Sequence, residues 1–180
     1  MKEKEIQIHG KTFIPYISRD VIQKTVQRIG QELSEEFKGK RPIFVGVLNG
    51  VVLMMGDLLK NFEGECEMSF IRLNSYEGTE STGEVEIMID FQEDLSGKEV
   101  IIVEDIVDTG NTLEKLYNMI NEQEIVSCTV VSLFLKPEVY KKNLKIHKIG
   151  MEIPNKFIVG YGLDYDGLGR NLPDIYQLKQ

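Results

Sequence analysis

Runs of consecutive apolar residues recur along this chain and predict a buried sheet. Residues 100–103 are four β-branched residues in a row, and residues 43–48 and 125–135 form two further apolar stretches. A strand without polar residues is typical of the middle of a parallel sheet, where both faces are covered. Residues 65–73 and 85–91 predict strands with one exposed face, because the second of these alternates apolar and polar positions.

Segments whose apolar residues recur at the spacing of an amphipathic helix lie between these stretches. One apolar stripe begins after Ser18, a plausible N-cap, and ends before Gly39; it consists of Ile22, Val26, Ile29, Leu33 and Phe37. Residues 51–62 and the residues after Thr112 predict two further helices. Strands that alternate with helices predict an α/β fold with a mostly parallel central sheet flanked by helices, in which ligands lie beyond the carboxyl ends of the strands.

Length and charge restrict the possible functions. At 180 residues, residues 1–180 are expected to form a single domain. The net charge of −8 argues against broad binding to nucleic acid or to an anionic membrane, since both require a basic surface. No apolar run approaches the roughly 20 residues of a membrane span, and the charged start lacks a secretion signal. We therefore expect a cytoplasmic protein. The region of residues 6–14 is expected to form either a hairpin or an irregular cover, with Gly10 and Lys11 as its turn.

The stretch from residue 99 to residue 113 carries the clearest chemical signal. Glu104 and Asp105 are adjacent carboxylates at the end of an apolar strand, and a run of capping and turn residues follows: Asp108, Thr109, Gly110, Asn111 and Thr112. A glycine and unpaired N–H groups at a helix N-terminus suit a phosphate group. The paired acids would require a cation or hydroxyl donors, such as Mg²⁺ or a sugar diol. Alternatively, isolated acids at such a position merely line a solvated loop.

This arrangement closely resembles the loop with which phosphoribosyltransferases bind 5-phosphoribosyl diphosphate (PRPP). The resemblance implies that Glu104 and Asp105 hold the ribose hydroxyls and Mg²⁺, while residues 108–112 wrap the 5′-phosphate. Two common rival phosphate loops, the Walker pattern and the Gly-x-Gly-x-x-Gly fingerprint, do not occur in the sequence.

A second strand, loop and helix resembles the pyrophosphate loop in the hypoxanthine-guanine branch of that family. The loop consists of Leu48, Asn49 and Gly50, where the family commonly has Leu-Lys-Gly. The missing lysine removes a cation and leaves backbone amides as the donors. Without the resemblance, Asn-Gly is simply a favourable turn.

Residues 74–83 form a long polar segment between two predicted strands, which indicates either a plain mobile loop or a lid. Its resemblance to the closing loop of the hypoxanthine-guanine enzymes favours a lid. The matching residues are Ser75, Tyr76, Ser81, Thr82 and Gly83.

The resemblance also assigns a purine-binding region in the second half of the chain. Lys136 matches the lysine that donates to the exocyclic oxygen of a 6-oxopurine, although it could be the first solvated residue after a strand. Phe157 would stack on the base, and the Ile158 backbone would bind its edge. Asp164 would help to hold Mg²⁺, and Arg170 would bind pyrophosphate. Read alone, residues 157–163 suggest an ordinary strand.

Together these matches imply a purine salvage enzyme. It would transfer the phosphoribosyl group from PRPP to hypoxanthine, and also to guanine, giving IMP or GMP and pyrophosphate. Asp108 would act as general acid and base, and Mg²⁺ would be the cofactor. The resemblance further implies a small hood formed by the N- and C-terminal segments, and a homodimer or homotetramer. Two alternatives remain: a xanthine-preferring enzyme, and a non-catalytic regulatory relative that senses PRPP or nucleotides.

Overall fold

The computed structural model describes residues 4–75, 85–89 and 94–179. Within these ranges the chain forms ten strands and three helices. In chain order they are β1 (Ile6–Ile8), β2 (Lys11–Ile17), α1 (Arg19–Glu36), β3 (Ile43–Val47), α2 (Val52–Lys60), β4 (Glu67–Ser75), β5 (Val85–Ile89), β6 (Glu99–Val107), α3 (Asn111–Asn121), β7 (Ser127–Leu135), β8 (Lys148–Glu152), β9 (Ile158–Val159) and β10 (Ile175–Leu178). None of the described helices combines the length and apolar character that a membrane span requires.

The larger sheet has the strand order β5-β4-β3-β6-β7-β8. Its strands β4, β3, β6, β7 and β8 are parallel, and β5 adds an antiparallel edge. Val45 pairs with Ile102, and Ile102 pairs with Val130, so the three apolar runs lie side by side. Every residue of β3 is buried. The predicted mostly parallel sheet is therefore confirmed.

Helices cover both faces of this sheet. α1 and α2 pack on one face through a cluster that includes Ile101 and Val103, whereas α3 packs on the other face beside Val100 and Ile102. The apolar stripe of α1 is buried, as its spacing predicts. Successive residues of a strand point to opposite faces, so the all-apolar sequence of β6 reflects two buried faces.

A small antiparallel sheet of strand order β1-β2-β10-β9 joins the two ends of the chain and forms the predicted hood. The hairpin turns at His9 and Gly10, both with positive φ, whereas we predicted Gly10 and Lys11; Lys11 instead pairs with Ile8 in the ladder. The sequence pattern missed β8 and β10. These strands are short and only partly buried, so they lack the apolar runs on which the prediction rested.

Candidate active site

Three chain segments meet at one edge of the central sheet. Residues 48–50 follow β3, residues 108–112 follow β6, and Lys136 follows β7. Because these strands are parallel and adjacent, their carboxyl ends share that edge. The pairing of β6 with β7 extends to the ends of these two strands, since the Lys136 N–H donates to the Val107 carbonyl over 3.0 Å.

The side chains of Asp108 and Lys136 form an ion pair at this edge. Lys136 Nζ donates to Asp108 Oδ2 over 2.7 Å, although the two residues are 28 positions apart. Only 8% of Lys136 is exposed. A nearly buried lysine in contact with a carboxylate is not the first solvated residue of a loop, so the geometry disfavours that alternative.

Residues 108–113 curl around a cavity of about 110 Å³, and Glu104 lines it from β6. Gly110 caps α3 in the left-handed conformation, with φ of 84°. The first N–H groups of a helix lack partners within the helix and carry partial positive charge. The cavity therefore has the size, donors and polarity that a phosphate group requires.

A tyrosine from a distant segment supports this loop. A Cβ added to Gly110 would lie 2.5 Å from Tyr140 Cε2, so the aromatic ring packs directly against the glycine. The Tyr140 hydroxyl donates to the Leu144 carbonyl over 2.5 Å. Gly110 therefore meets two requirements, a left-handed backbone and space for the Tyr140 ring.

Glu104 and Asp105 point to different parts of the site. Glu104 lines the small cavity, whereas a Cβ added to Gly50 would lie 1.6 Å from Asp105 Oδ2. Burial raises the pKa of Glu104 well above its usual range, and the Asp105 charge adds to this. Burial also raises the pKa of Asp105 to about 6, partly offset by the Ile106 N–H and by Arg170. A cation or hydroxyl donors would stabilise both carboxylates.

The 48–50 loop contacts the C-terminal segment. A Cβ added to Gly162 would lie 1.9 Å from the Gly50 carbonyl oxygen, so the two backbones touch. The peptide bond between Leu48 and Asn49 is cis. Gly50 is therefore in close contact with both Asp105 and Gly162, and no side chain larger than hydrogen fits at its position without displacing a neighbour.

Arg170 completes this part of the site. Its Nη1 donates to the Gly162 carbonyl over 2.8 Å, and its Nη2 lies 2.6 Å from Asp164 Oδ1. Asp164 Oδ2 also accepts from the Gly167 N–H over 2.7 Å. The charges of this pair also act on Asp105, since Arg170 lowers the pKa of Asp105 and Asp164 raises it.

The described residues contain no group of three or more metal-ligating side chains. The predicted set of Glu104, Asp105 and Asp164 therefore does not form a three-carboxylate cage. This donor set still fits Mg²⁺, because that ion usually takes one or two protein carboxylates together with phosphate oxygens of a substrate.

The predicted base-stacking residue is available at the surface. Phe157 is 46% exposed, and its ring packs edge-on against Tyr165 with 5.5 Å between centroids. Leu178 N–H donates to the Phe157 carbonyl, so in the alternating antiparallel ladder the Ile158 backbone groups point away from β10. The Phe157 ring is thus accessible to a ligand, and the Ile158 backbone N–H and C=O do not take part in the ladder with β10.

The predicted lid cannot be placed. Ser75 is the last residue of β4, and it pairs with Val85. The other four lid residues, Tyr76, Ser81, Thr82 and Gly83, lie outside the described residues.

Sequence reasoning missed Tyr140 and Gly162, whose contacts are given above, and also Asp57 and Tyr161, which are joined by a hydrogen bond from the Tyr161 hydroxyl to Asp57 Oδ2 over 2.8 Å. The glycines on both sides of Tyr161 were a usable signal, because they indicate a backbone in close contact with another segment. Asp57 and Tyr140 gave no such signal, since their roles depend on contacts between distant parts of the chain.

Comparison with known proteins identifies the family of this chain. Residues 18–166 match the model of the phosphoribosyl transferase domain. The chain belongs to this family. As a phosphoribosyl transferase domain it is 40% identical over 165 residues to the hypoxanthine-guanine phosphoribosyltransferase of Streptococcus pneumoniae, with 91% of this chain and 92% of that protein covered.

Further relatives match this phosphoribosyl transferase domain in fold or in sequence. A crystal structure of a hypoxanthine phosphoribosyltransferase from Staphylococcus aureus superposes with a TM-score of 0.87 at 37% identity, covering 92% of this chain and 90% of that one. The bifunctional protein TilS/HprT of Listeria innocua is 42% identical over 164 residues, which cover 91% of this chain. This chain spans only 25% of the length of that bifunctional relative.

Proposed function

We propose that this chain transfers the 5-phosphoribosyl group of PRPP to hypoxanthine, and also to guanine. The products would be IMP or GMP and pyrophosphate, as in purine salvage. The family membership supports phosphoribosyl transfer, and the names of the relatives above support a 6-oxopurine as the acceptor.

The single observation that carries this proposal is the Asp108–Lys136 ion pair beside the phosphate-sized cavity. In a 6-oxopurine, N7 and the exocyclic oxygen are neighbouring atoms on one side of the base. Two side chains in contact, one acceptor and one donor, match that pair of atoms. The same loop that supplies Asp108 would hold the 5′-phosphate, so the base and the ribose would lie next to each other.

The reaction follows from these positions. The bond from ribose C1 to the pyrophosphate oxygen breaks, positive charge develops on the ribose, and purine N9 forms the new bond to C1. Asp108 accepts the proton from N7 as N9 donates its electron pair. Lys136 donates to the exocyclic oxygen, and Phe157 stacks on the base.

The remaining groups would bind PRPP. Residues 108–112 take the 5′-phosphate, Glu104 and Asp105 take the ribose hydroxyls, and residues 48–50 with Arg170 take the pyrophosphate. When bound, Mg²⁺ would neutralise charge on the leaving pyrophosphate and would be held by the carboxylates of Asp105 and Asp164, with Glu104 nearby. The lid would exclude water.

The geometry also supports discrimination between bases. A lysine ammonium offers only donors. Hypoxanthine and guanine present an acceptor oxygen at the sixth position, whereas adenine presents an amine that would face the ammonium without a partner. Such a mismatch at a buried donor gives strong discrimination.

We test the proposal by mixing purified protein with PRPP and Mg²⁺ and offering hypoxanthine, guanine, xanthine and adenine separately. Nucleotide and pyrophosphate formation are measured together, and a reaction without PRPP is the control. We expect equal amounts of both products with hypoxanthine and none with adenine. A preference for xanthine would establish that alternative, and PRPP binding without turnover of any base would favour the regulatory one.

We also propose Mg²⁺ as the cofactor, a cytoplasmic location and a homodimer or homotetramer. Activity that EDTA abolishes and Mg²⁺ restores would support the first. Size-exclusion chromatography with light scattering measures the assembly, and a monomer at micromolar concentration would contradict it.

A further inference from the structure

A hydrogen bond outside the proposed substrate contacts connects two segments of the site. The Tyr161 hydroxyl donates to Asp57 Oδ2 over 2.8 Å. Asp57 lies on α2, and Tyr161 lies in the segment between β9 and β10. The two residues are 104 positions apart, so their contact exists only in the folded chain.

Each partner is adjacent to a part of the proposed pyrophosphate site. α2 begins directly after the 48–50 loop, and the Val52 N–H donates to the Asn49 carbonyl. Tyr161 precedes Gly162, whose backbone contacts Gly50 and whose carbonyl accepts from Arg170. The hydrogen bond therefore links α2, which follows the 48–50 loop, to the segment that carries Gly162 and Arg170.

Tyr161 is held in an unusual position for a bulky residue. Its backbone is left-handed, with φ of 46°, and only 4% of the residue is exposed. The Tyr161 N–H donates to the Leu172 carbonyl, and the Gly162 N–H donates to the Arg170 carbonyl. Residues in such sparsely populated conformations persist only where surrounding structure fixes them, and they concentrate at functional sites.

Asp57 is also well anchored. Gln23 on α1 donates to the same Asp57 oxygen over 2.6 Å, and Lys60 lies 3.3 Å from the other oxygen. Burial alone would raise the pKa of Asp57, but the hydrogen bonds from Gln23 and Tyr161, with the Lys60 charge, lower it. The acceptor is thus a carboxylate fixed by α1, and a hydrogen bond to a charged acceptor is stronger than one to a neutral group.

We infer that Asp57 and Tyr161 are positioning residues that hold Gly162 and Arg170 against the 48–50 loop for pyrophosphate binding. Neither residue has to touch the substrate for this role. The inference rests on the proposed function, since it requires that these two elements bind pyrophosphate.

The test is Tyr161→Phe, which removes one oxygen atom and keeps the ring. We expect KM for PRPP, and KM for pyrophosphate in the reverse reaction, to rise roughly threefold to tenfold. This is less than the roughly 10- to 100-fold for a hydrogen bond made directly by a charged group to the substrate, because Tyr161 acts only through Gly162 and Arg170. KM for hypoxanthine should stay unchanged. Asp57→Ala should raise KM for PRPP at least as much, because it also removes the contacts of Gln23 and Lys60. The double variant should show no more than the Asp57→Ala effect, because both substitutions remove the same Tyr161–Asp57 hydrogen bond.

Gln23→Leu is the matched control, because it removes another hydrogen bond to the same Asp57 oxygen but leaves the one from Tyr161, so we expect a clearly smaller rise in KM for PRPP than in Tyr161→Phe. An equal rise in KM for PRPP in Gln23→Leu would overturn the inference, since Asp57 would then matter only for packing. Arg170→Met distinguishes a failure of the positioning role from a failure of the pyrophosphate assignment. If it raises KM for PRPP and Tyr161→Phe does not, the positioning role is wrong and the pyrophosphate site stands. If neither variant changes KM for PRPP, the pyrophosphate assignment fails and the inference with it.

Discussion

The 108–112 loop lies at one edge of the central sheet, whereas the proposed purine region combines segments next to both sheets, so the two are built differently. The first consists of five consecutive residues between β6 and α3. The second would be assembled from Asp108 and Lys136, which follow two paired strands of the central sheet, and from Phe157, which directly precedes β9 of the small sheet. One half of the site is therefore readable as a local motif, whereas the other depends on the whole fold.

This difference indicates that phosphate binding depends mainly on local structure, whereas purine binding and proton transfer depend on tertiary structure. A phosphate needs a helix N-terminus and a glycine, which a short stretch of chain supplies. A purine needs a stacking face, an edge and a proton acceptor in fixed relation, and consecutive residues cannot supply all three. The ion pair between Asp108 and Lys136 is the point where both halves meet.

The strongest test of this meeting point is Asp108→Asn. The substitution keeps the shape of the side chain but removes the carboxylate that we propose as acceptor of the N7 proton, so we expect kcat to fall about 10²- to 10⁴-fold with little change in KM for PRPP. Steady-state kinetics with hypoxanthine measure both values. Glu114→Gln on α3, which alters an acid paired with Lys142, is the control. Near-normal turnover in Asp108→Asn would remove Asp108 from the mechanism.

Gly50→Ala tests the close contact between the 48–50 loop and β6. The new methyl group would lie 1.6 Å from Asp105 Oδ2, so either the loop or the carboxylate must move. A displacement of about 1 Å can cost 10²-fold, and we expect kcat/KM for PRPP to fall by about that factor.

Gly56→Ala is the matched control for that experiment. A Cβ at Gly56 meets nothing within 4 Å, and in the helix interior alanine is favoured over glycine by about 1 kcal/mol. We therefore expect Gly56→Ala to keep full activity and to unfold at a slightly higher temperature. Equal losses in both variants would show that the close contact at Gly50 has no special role.

Lys136→Ala separates the two halves of the site. Loss of a hydrogen bond from a charged group corresponds to about 1.5–3 kcal/mol, or roughly 10- to 100-fold, and we expect this increase in KM for the 6-oxopurine. KM for PRPP should change far less. Equal increases in the two KM values would contradict a base-reading role. Lys115→Ala, on α3, controls for the loss of one positive charge.

The smallest predicted effect concerns the segment that supports Gly110. The Val130 N–H donates to His147 Nδ1 over 3.0 Å, and Nδ1 can accept this hydrogen bond only when the ring is neutral. The bond holds the segment that follows Tyr140 against β7. Burial lowers the pKa of His147, and the Lys145 charge adds to this. The unfolded chain takes up a proton at about pH 6.5. The free energy of unfolding should therefore decrease, by at most about 1 kcal/mol, as the pH falls below that value.

Urea unfolding at several pH values measures this effect. His147→Asn keeps an acceptor without a titrating ring, so the difference between wild type and variant isolates His147. If the two unfolding free energies change in parallel with pH, His147 does not stabilise this segment.

The central sheet and the 108–112 loop could be predicted from the sequence because their signals are local. The parallel sheet was predictable because its central strands are buried on both faces, which leaves uninterrupted apolar runs. The 108–112 loop was predictable because capping residues, a glycine and a helical stripe are adjacent. Lys136, Phe157 and Arg170 became candidates only through family resemblance, since each alone has an ordinary structural reading.

Contacts between distant segments could not be predicted. Nothing near Asp57 indicates that Tyr161 donates to it, and nothing near Gly110 indicates the Tyr140 ring. The opposite directions of Glu104 and Asp105 follow from strand alternation once β6 is known to extend to Val107. The sequence places these acids at the carboxyl end of the strand but does not show that the strand continues beyond them, which is what defines their directions.

The most direct test of the account is calorimetric titration of the ligand-free protein with IMP, which carries the 5′-phosphate and the base in one molecule. We predict one binding site per chain, weakened both by Lys136→Ala in the purine half and by Gly110→Ala in the phosphate half. Hypoxanthine bound in the presence of pyrophosphate should respond to Lys136→Ala alone. If IMP binding is unchanged by either substitution, the two halves do not form one site and the account is wrong.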